Sequence, residues 1–260
     1  MTPPDGLTRA PADFDDLLIR DDRPQAAHAV VSLNLNGRAL IAALGGTIAL
    51  LFGISFSLPL VFQAMGGFNW EMFRLLHVRN EANIPTLFSS VQLFIAAGLT
   101  LLIGCLERRS DGRQAAYWLG LAIMLAGLGI DETAQLHEML KLVRLPVPDG
   151  FLAEWTWIAF YGPAAVLIGC AYGPFLSRLP RAAAALFVLG GAVFLLGAAG
   201  LEAWGSYLTH VEPVPRRSHF SVRVHAEELC EMLGVWIFIC GAVRHLERGW
   251  PRLSLTLSRG

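Results

Sequence analysis

A chain of 260 residues with 54% hydrophobic and only 16% charged residues lies outside the soluble range, in which about a quarter of residues are charged. A formal net charge of -1 argues against a nucleic-acid partner. Four cysteines without a CxxC pair indicate neither a disulfide framework nor a thiolate metal site. The expected fold is an all-α, polytopic transmembrane helical bundle of about six spans, with membrane lipids as its surroundings.

Residues 1–38 carry six aspartates and four prolines and no apolar stretch resembling a signal peptide, so they are expected to form a polar tail, with the first span as its own insertion signal. The transmembrane domain is expected over 39–248 and a short C-terminal tail over 249–260. Nearly charge-free runs at 39–61, 84–106, 115–130, 155–176, 182–201 and 232–243 mark the spans, each of which needs about 20 residues. Between the first two, "WEMFRLLH" from Trp70 to His77 has the apolar spacing of a short interfacial helix anchored by Trp70. Pro85 suits the first turn of the second span, and Ser89 and Ser90 follow one turn deeper, able to bond to carboxylates, to a metal-bound water or to the preceding turn.

The third and sixth runs are too short to cross alone. Sixteen residues from Ala115 to Ile130 cover about 24 Å and twelve from Met232 to Val243 about 18 Å, against a hydrocarbon core of about 30 Å. Polar residues must therefore enter the membrane: Asp131 and Glu132 behind the third run, and Glu227, Glu228 and Glu231 ahead of the sixth. Helix direction then gathers one set of groups on one membrane face, namely Glu81, Asn83, Ser89, Ser90, Asp131, Glu132, His137, Glu138, Glu154, Glu202, His225, Glu227, Glu228 and Glu231. Helical spacing puts Asp131, Gln135 and Glu138 on one face, Thr133 and His137 on the adjoining one, and His225, Glu227, Glu228 and Glu231 on one arc. Arginine density at the other ends, as at Arg108, Arg109, Arg113, Arg244 and Arg248, favours both termini in the cytoplasm and the acidic face outside.

Several carboxylates together in a low dielectric share protons, pair with arginines or bind a metal. Carboxylates with histidines suit a divalent metal, zinc, iron or manganese, carrying a water as nucleophile. His137, His225, Glu228, Glu231, Glu202 and Glu138 are the candidate ligands and Asp131, Glu132 and Ser90 the candidate catalytic groups. Neither Glu-x-x-His nor H-E-x-x-H is present. Structural readings stand beside this one: Glu227 and Glu228 near a helix start favour its positive end and invite Arg223 or Arg79, and His137 can bond a loop carbonyl.

"RNEANIPTLFSS", "GIDETAQLHE" and "HAEELCEMLG" together resemble segments of a bacterial multi-pass membrane family of unknown function. Glu81, Asn83, Phe88 and Ser90, followed by an acid and a histidine late in a middle helix, are more distantly similar to the alkaline ceramidase superfamily of intramembrane zinc amidases. That resemblance implies zinc, with Ser90, Asp131 and His137 as counterparts, although the H-x-x-x-H of the family's last helix is replaced by His225, Glu227, Glu228 and Glu231. The leading expectation is a metal-dependent hydrolase of a lipid or amphiphile in a bacterial inner membrane. The alternatives are a proton- or cation-coupled carrier and a non-catalytic subunit of a membrane complex, with "LGGAVFLLGAAG" allowing close packing inside the chain, against a partner protein or in a homo-oligomer.

Overall fold

The structure, a computed structural model of the chain, describes residues 36–140, 156–211 and 217–250. The expected tails at 1–35 and 251–260 and the loop residues Glu154 and Glu212 lie outside the described residues, as do the side chains of Glu138, His210 and His219. The described residues form helices α1 (Gly37–Ala64), α2 (Trp70–Leu76), α3 (Ile84–Glu107), α4 (Gly112–Ala134), α5 (Leu136–Leu140), α6 (Thr156–Leu176), α7 (Arg181–Leu195), α8 (Glu202–Val211) and α9 (Arg217–Gly249). Between α7 and α8 the rod continues through one wide π turn, Leu196–Leu201. No strand occurs among the described residues.

Among the described residues five helices are long and apolar enough to cross a membrane: Gly37–Ala64, Ile84–Glu107, Gly112–Ala134, Arg181–Gly205 and Val222–Gly249. The fourth expected span, 155–176, corresponds to α6, whose apolar part Phe160–Leu176 is shorter. The protein is an all-α helical membrane bundle. Asp131 and Glu132 continue the helix of the third apolar run, and Glu227, Glu228 and Glu231 lie inside the last long helix.

Local chemistry explains where the helices begin. Asn36, Asn69, Asn83 and Asp111 each precede a helix, and each side chain accepts from a backbone N–H of the first turn. Such caps satisfy donors that a helix leaves without a partner. Pro85 occupies the first turn of α3, where a missing N–H costs nothing.

α3 and α4 pack side by side as an antiparallel pair, and α9 touches α1, α3, α7, the π turn and α8. The core joins Leu93, Ala96, Leu99 and Ile103 of α3, Trp118, Leu121 and Leu125 of α4, Phe187 of α7, and Val235, Ile239 and Ala242 of α9. α1 packs on another side of α9, where the Trp236 indole N–H donates to the Ile41 carbonyl at 2.9 Å and its ring lies over Gly45.

Glycines set the closest crossing. A Cβ on Gly234 would stand 2.5 Å from the Phe194 nitrogen and 2.7 Å from the Gly190 carbonyl oxygen, so the backbones of α7 and α9 meet directly. The small-residue stretch around Gly190 thus serves an internal contact. In the absence of water, close backbone approach supplies the packing attraction that holds such helices together. Gly234→Val is expected to lower the melting temperature in mild detergent by several degrees, in line with roughly 1–3 kcal/mol for overpacking. Gly46→Val, where a Cβ meets nothing within 4 Å, is the control and should leave it unchanged. Equal melting temperatures for both variants would contradict this crossing.

Candidate functional site

The expected acidic face resolves into three groups. The first is built on the end of α4. Its last residue, Ala134, is followed by Gln135 in the left-handed region at φ 55°, and α5 starts in a new direction. The expected single helical face from Asp131 to Glu138 is therefore corrected: the helix breaks at Gln135, and Asp131 holds the break. Asp131 Oδ1 accepts from the His137 backbone N–H at 2.8 Å, and Oδ2 faces His137 Nδ1 at 3.3 Å. The Tyr161 hydroxyl of α6 donates to the same carboxylate. Asp131 is buried and works as a cap, a partner for His137 and a tie to α6. Beside it, Thr133 donates to the Gly129 carbonyl at 3.1 Å, so the 2.7 Å contact between the Ser90 and Thr133 hydroxyls is donated by Ser90. The Ser90 proton thus holds α3 to α4.

The second group is the carboxylate cluster. Glu132 accepts from the Ser89 hydroxyl. Glu228 has Glu132, Glu227, Glu81 and Glu202 in electrostatic reach, and Glu231 has Glu228, Glu132, Glu227 and Glu202. The π turn brings Glu202 here: a Cβ on Gly197 would lie 2.7 Å from the Glu227 carbonyl oxygen and 2.8 Å from Glu231 Cγ, so only a glycine lets this turn sit on α9. π turns inside helices often mark functional sites. Arg223 neutralises one member, pairing with Glu227 while its Nη1 donates to the Leu201 carbonyl at 3.0 Å, at the end of the π turn. Its guanidinium occupies the space a side chain at Gly205 would need.

The third group separates His225 from the glutamates that follow it. His225 faces α1, where Nε2 lies 3.0 Å from the Ser55 hydroxyl, and its ring stacks on Phe56 with centroids 4.2 Å apart. His77, at the end of α2, meets it edge to face at 4.9 Å. The Arg79 backbone N–H donates to His77 Nδ1 at 3.1 Å, which leaves Nε2 to carry the proton of the neutral ring. The Val78 N–H donates to the Ser55 oxygen at 3.3 Å, and the Asn83 amide donates to the His77 carbonyl at 2.8 Å. Sequence reasoning missed Ser55 and His77. Ser55 belongs to the buried stripe Ile48, Phe52, Ser55 and Leu58 of α1, and a serine on such a stripe is the signal that was there to be read.

Of the nine residues expected at the site, Glu132, Glu202, Glu228 and Glu231 come together. Asp131 and His137 form their own pair, Ser90 pairs with Thr133, His225 joins Ser55 and His77, and Glu138 lies in α5 with its side chain outside the described set. Zinc of the kind the ceramidase resemblance implies needs three protein ligands around one point. Among the described residues no three His, Cys, Asp or Glu side chains are so arranged.

A family model described as "Domain of unknown function (DUF8692)" matches residues 28–246, which takes in every described helix with chemistry on it. The chain belongs to this family. Comparison with curated proteins and with solved structures found no match. The DUF8692 match spans all three groups and attaches no activity to them.

Burial holds the His77 imidazole down from its ordinary value of 6.5 to about 4, with repulsion from His225 and Arg79 adding to the effect. The unfolded chain takes up this proton as pH falls through about 6.5, whereas the folded chain resists until about 4, so stability falls across that window as pH falls. We expect the melting temperature in detergent to drop by on the order of 5 °C between those limits, and His77→Phe to remove much of that drop. An identical pH slope in wild type and variant would show that His77 is not its source.

Proposed function

We propose that this protein exchanges protons, or a cation that replaces them, at Glu132, Glu202, Glu228 and Glu231, and so acts as a proton- or cation-coupled carrier in a cell's inner membrane. The observation that carries this reading is the gathering of these four side chains from α4, the start of α8 and α9, held in mutual electrostatic reach, with Arg223 set against the neighbouring Glu227. Like charges so placed at the edge of a hydrocarbon layer strongly oppose one another, and the repulsion is relieved by protons or by a bound cation. Exchange between those two states is the elementary step of a coupled carrier.

The sequence-based hydrolase reading, with zinc, iron or manganese and an amphiphile as substrate, rests on the distant ceramidase resemblance. It is the weaker proposal because its serine is engaged with Thr133 and its candidate histidines are bound to other partners. Membrane lipids surround either version, and both termini are proposed to lie in the cytoplasm.

The test is reconstitution into vesicles that contain a trapped pH dye, with a pH jump and a potassium-valinomycin shunt. Wild type is expected to admit protons faster than protein-free vesicles, and Glu231→Gln to reduce that rate at least about tenfold, as expected for removing an obligatory exchange group. In parallel, pH-difference infrared spectra in detergent should show a protonated-carboxyl band that shrinks in Glu231→Gln. Absence of both the flux and the band would refute the proposal.

A further inference from the structure

The face opposite the glutamates holds a second buried polar group, on α3, α4 and α9. Glu107 closes α3, Gln114 and Trp118 stand one turn apart on α4, and His245 lies near the end of α9. Counted along α9 from Glu231 to His245, or along α4 from Trp118 to Glu132, the two groups are about 21 Å apart. The Trp118 and His245 rings have centroids 5.0 Å apart, and Trp118 is fully buried. His245 Nε2 lies 3.7 Å from Glu107 Oε1, while the other Glu107 oxygen accepts from the Ser110 hydroxyl at 3.1 Å.

Three atoms here, Gln114 Oε1, Trp118 Nε1 and His245 Nε2, are buried with no hydrogen-bond partner among the described residues. Buried polar groups are nearly always satisfied, and a site offering two to four polar partners is what holds a buried water. The set is complementary: the indole donates, the amide oxygen accepts, and the imidazole nitrogen does either. A gap of 3.7 Å is too long for a direct bond and suits two groups joined through a third.

Gln92 extends the polar character inward from the glutamates. It is fully buried, and both its amide atoms lack a partner among the described residues. The α4-facing stripe of α3 is marked by Ser90, Leu93 and Gly104, which touch Thr133, Gly129 and Trp118. Gln92 lies off that stripe on the side of Ser89 and Ala96, toward α9, the other long helix that α3 packs against.

We propose that Glu107, Gln114, Trp118 and His245 form a second, hydrated proton-exchange site on the membrane face opposite the glutamates. This rests on the proton-exchange reading above and adds its other terminus. A bridging water accepts the Nε2 proton of the His245 imidazolium and gives one to Glu107 Oε1, so one N–H bond breaks and one O–H bond forms. Glu107 is the charged group set against His245; α4 presents the neutral Gln114 and Trp118, Phe187 of α7 borders Trp118, and Glu247 of α9 lies over Gly37 of α1.

The probe is the Trp118 indole N–H in protein labelled with 15N-tryptophan, in detergent micelles, assigned with Trp118→Phe. We expect a magnetisation-transfer peak to water and a chemical shift that follows pH, with the titration lost in His245→Gln and displaced in Glu107→Gln. In vesicles Glu107→Gln should cut proton entry severalfold while the glutamates' infrared band persists. An indole that exchanges nothing with water, or whose shift is flat with pH, overturns the site. Wild-type flux retained in Glu107→Gln overturns its role in exchange. If wild type moves no protons, the carrier reading fails, and the indole experiment still decides whether this site is hydrated and titrates.

Discussion

The contact between Gly190 and Gly234 determines where everything else on α9 points. Once two backbones approach within the reach of a single missing methyl group, the rotation of each helix about its axis is set, because any other rotation brings a side chain into the gap. From that one register, α9 turns Val235, Ile239 and Ala242 toward α3 and α4, Met232 and Trp236 toward α1, and Glu231 toward the π turn. The polar residues of its N-terminal half inherit those directions. Glu228, seven residues before Val235, lies on the side of α3 and α4, and His225, seven before Met232, lies on the side of α1. One helix thus feeds two polar groups that a sequence reading sees as one arc.

The π turn is the second consequence of the same constraint. A regular α-helix carried through Leu196–Leu201 would advance its side chains by a smaller step per turn than the wide turn does, so Glu202 would emerge elsewhere. The irregular turn and Gly197 together let α7 and its continuation stay close to α9 beyond the first glycine crossing. Such a turn leaves a carbonyl poorly matched to its own helix, and Arg223 answers it by binding the Leu201 oxygen and Glu227 with one guanidinium. The arginine therefore has a structural task and an electrostatic one. Its charge lies against Glu227.

The spans and the crowded face were legible in the sequence because both follow from coarse physical quantities, hydrophobic length and chain direction. The short runs before Asp131 and after Glu231 were the clearest signal: an apolar segment too short to cross obliges its polar neighbours to enter. Pairing within the face was not legible. Asp131 looked functional because an acid opposes the dipole at a helix C-terminus, yet Gln135 ends the helix there and turns the carboxylate into a cap for the next one. No local rule announces a left-handed glutamine. Ser55 was hidden for the opposite reason, since a lone serine in a long apolar run has a neutral explanation in its own backbone. Its partners, His225 on a distant helix and the Val78 N–H beyond α2, come from the tertiary fold.

The two polar ends of the α3, α4 and α9 trio also explain why the middle of the bundle is so plain. Between Gln92 and Trp118 the shared interior is Ala96, Leu99, Ile103, Val235, Ile239 and Ala242, with Thr100 bonded to its own helix. Small and branched apolar side chains there allow tight packing and exclude water, which prevents charge on one side from leaking to the other. A polar core running through would need every group satisfied, and partial satisfaction in low dielectric is costly. Confining titratable groups to the ends keeps their desolvation cost modest, because each end lies near the interface, while the apolar centre preserves the barrier that any coupled exchange has to control. Gln92 is the exception to this separation. Its unmatched amide, one turn inside the glutamates, marks the depth to which the polar end penetrates.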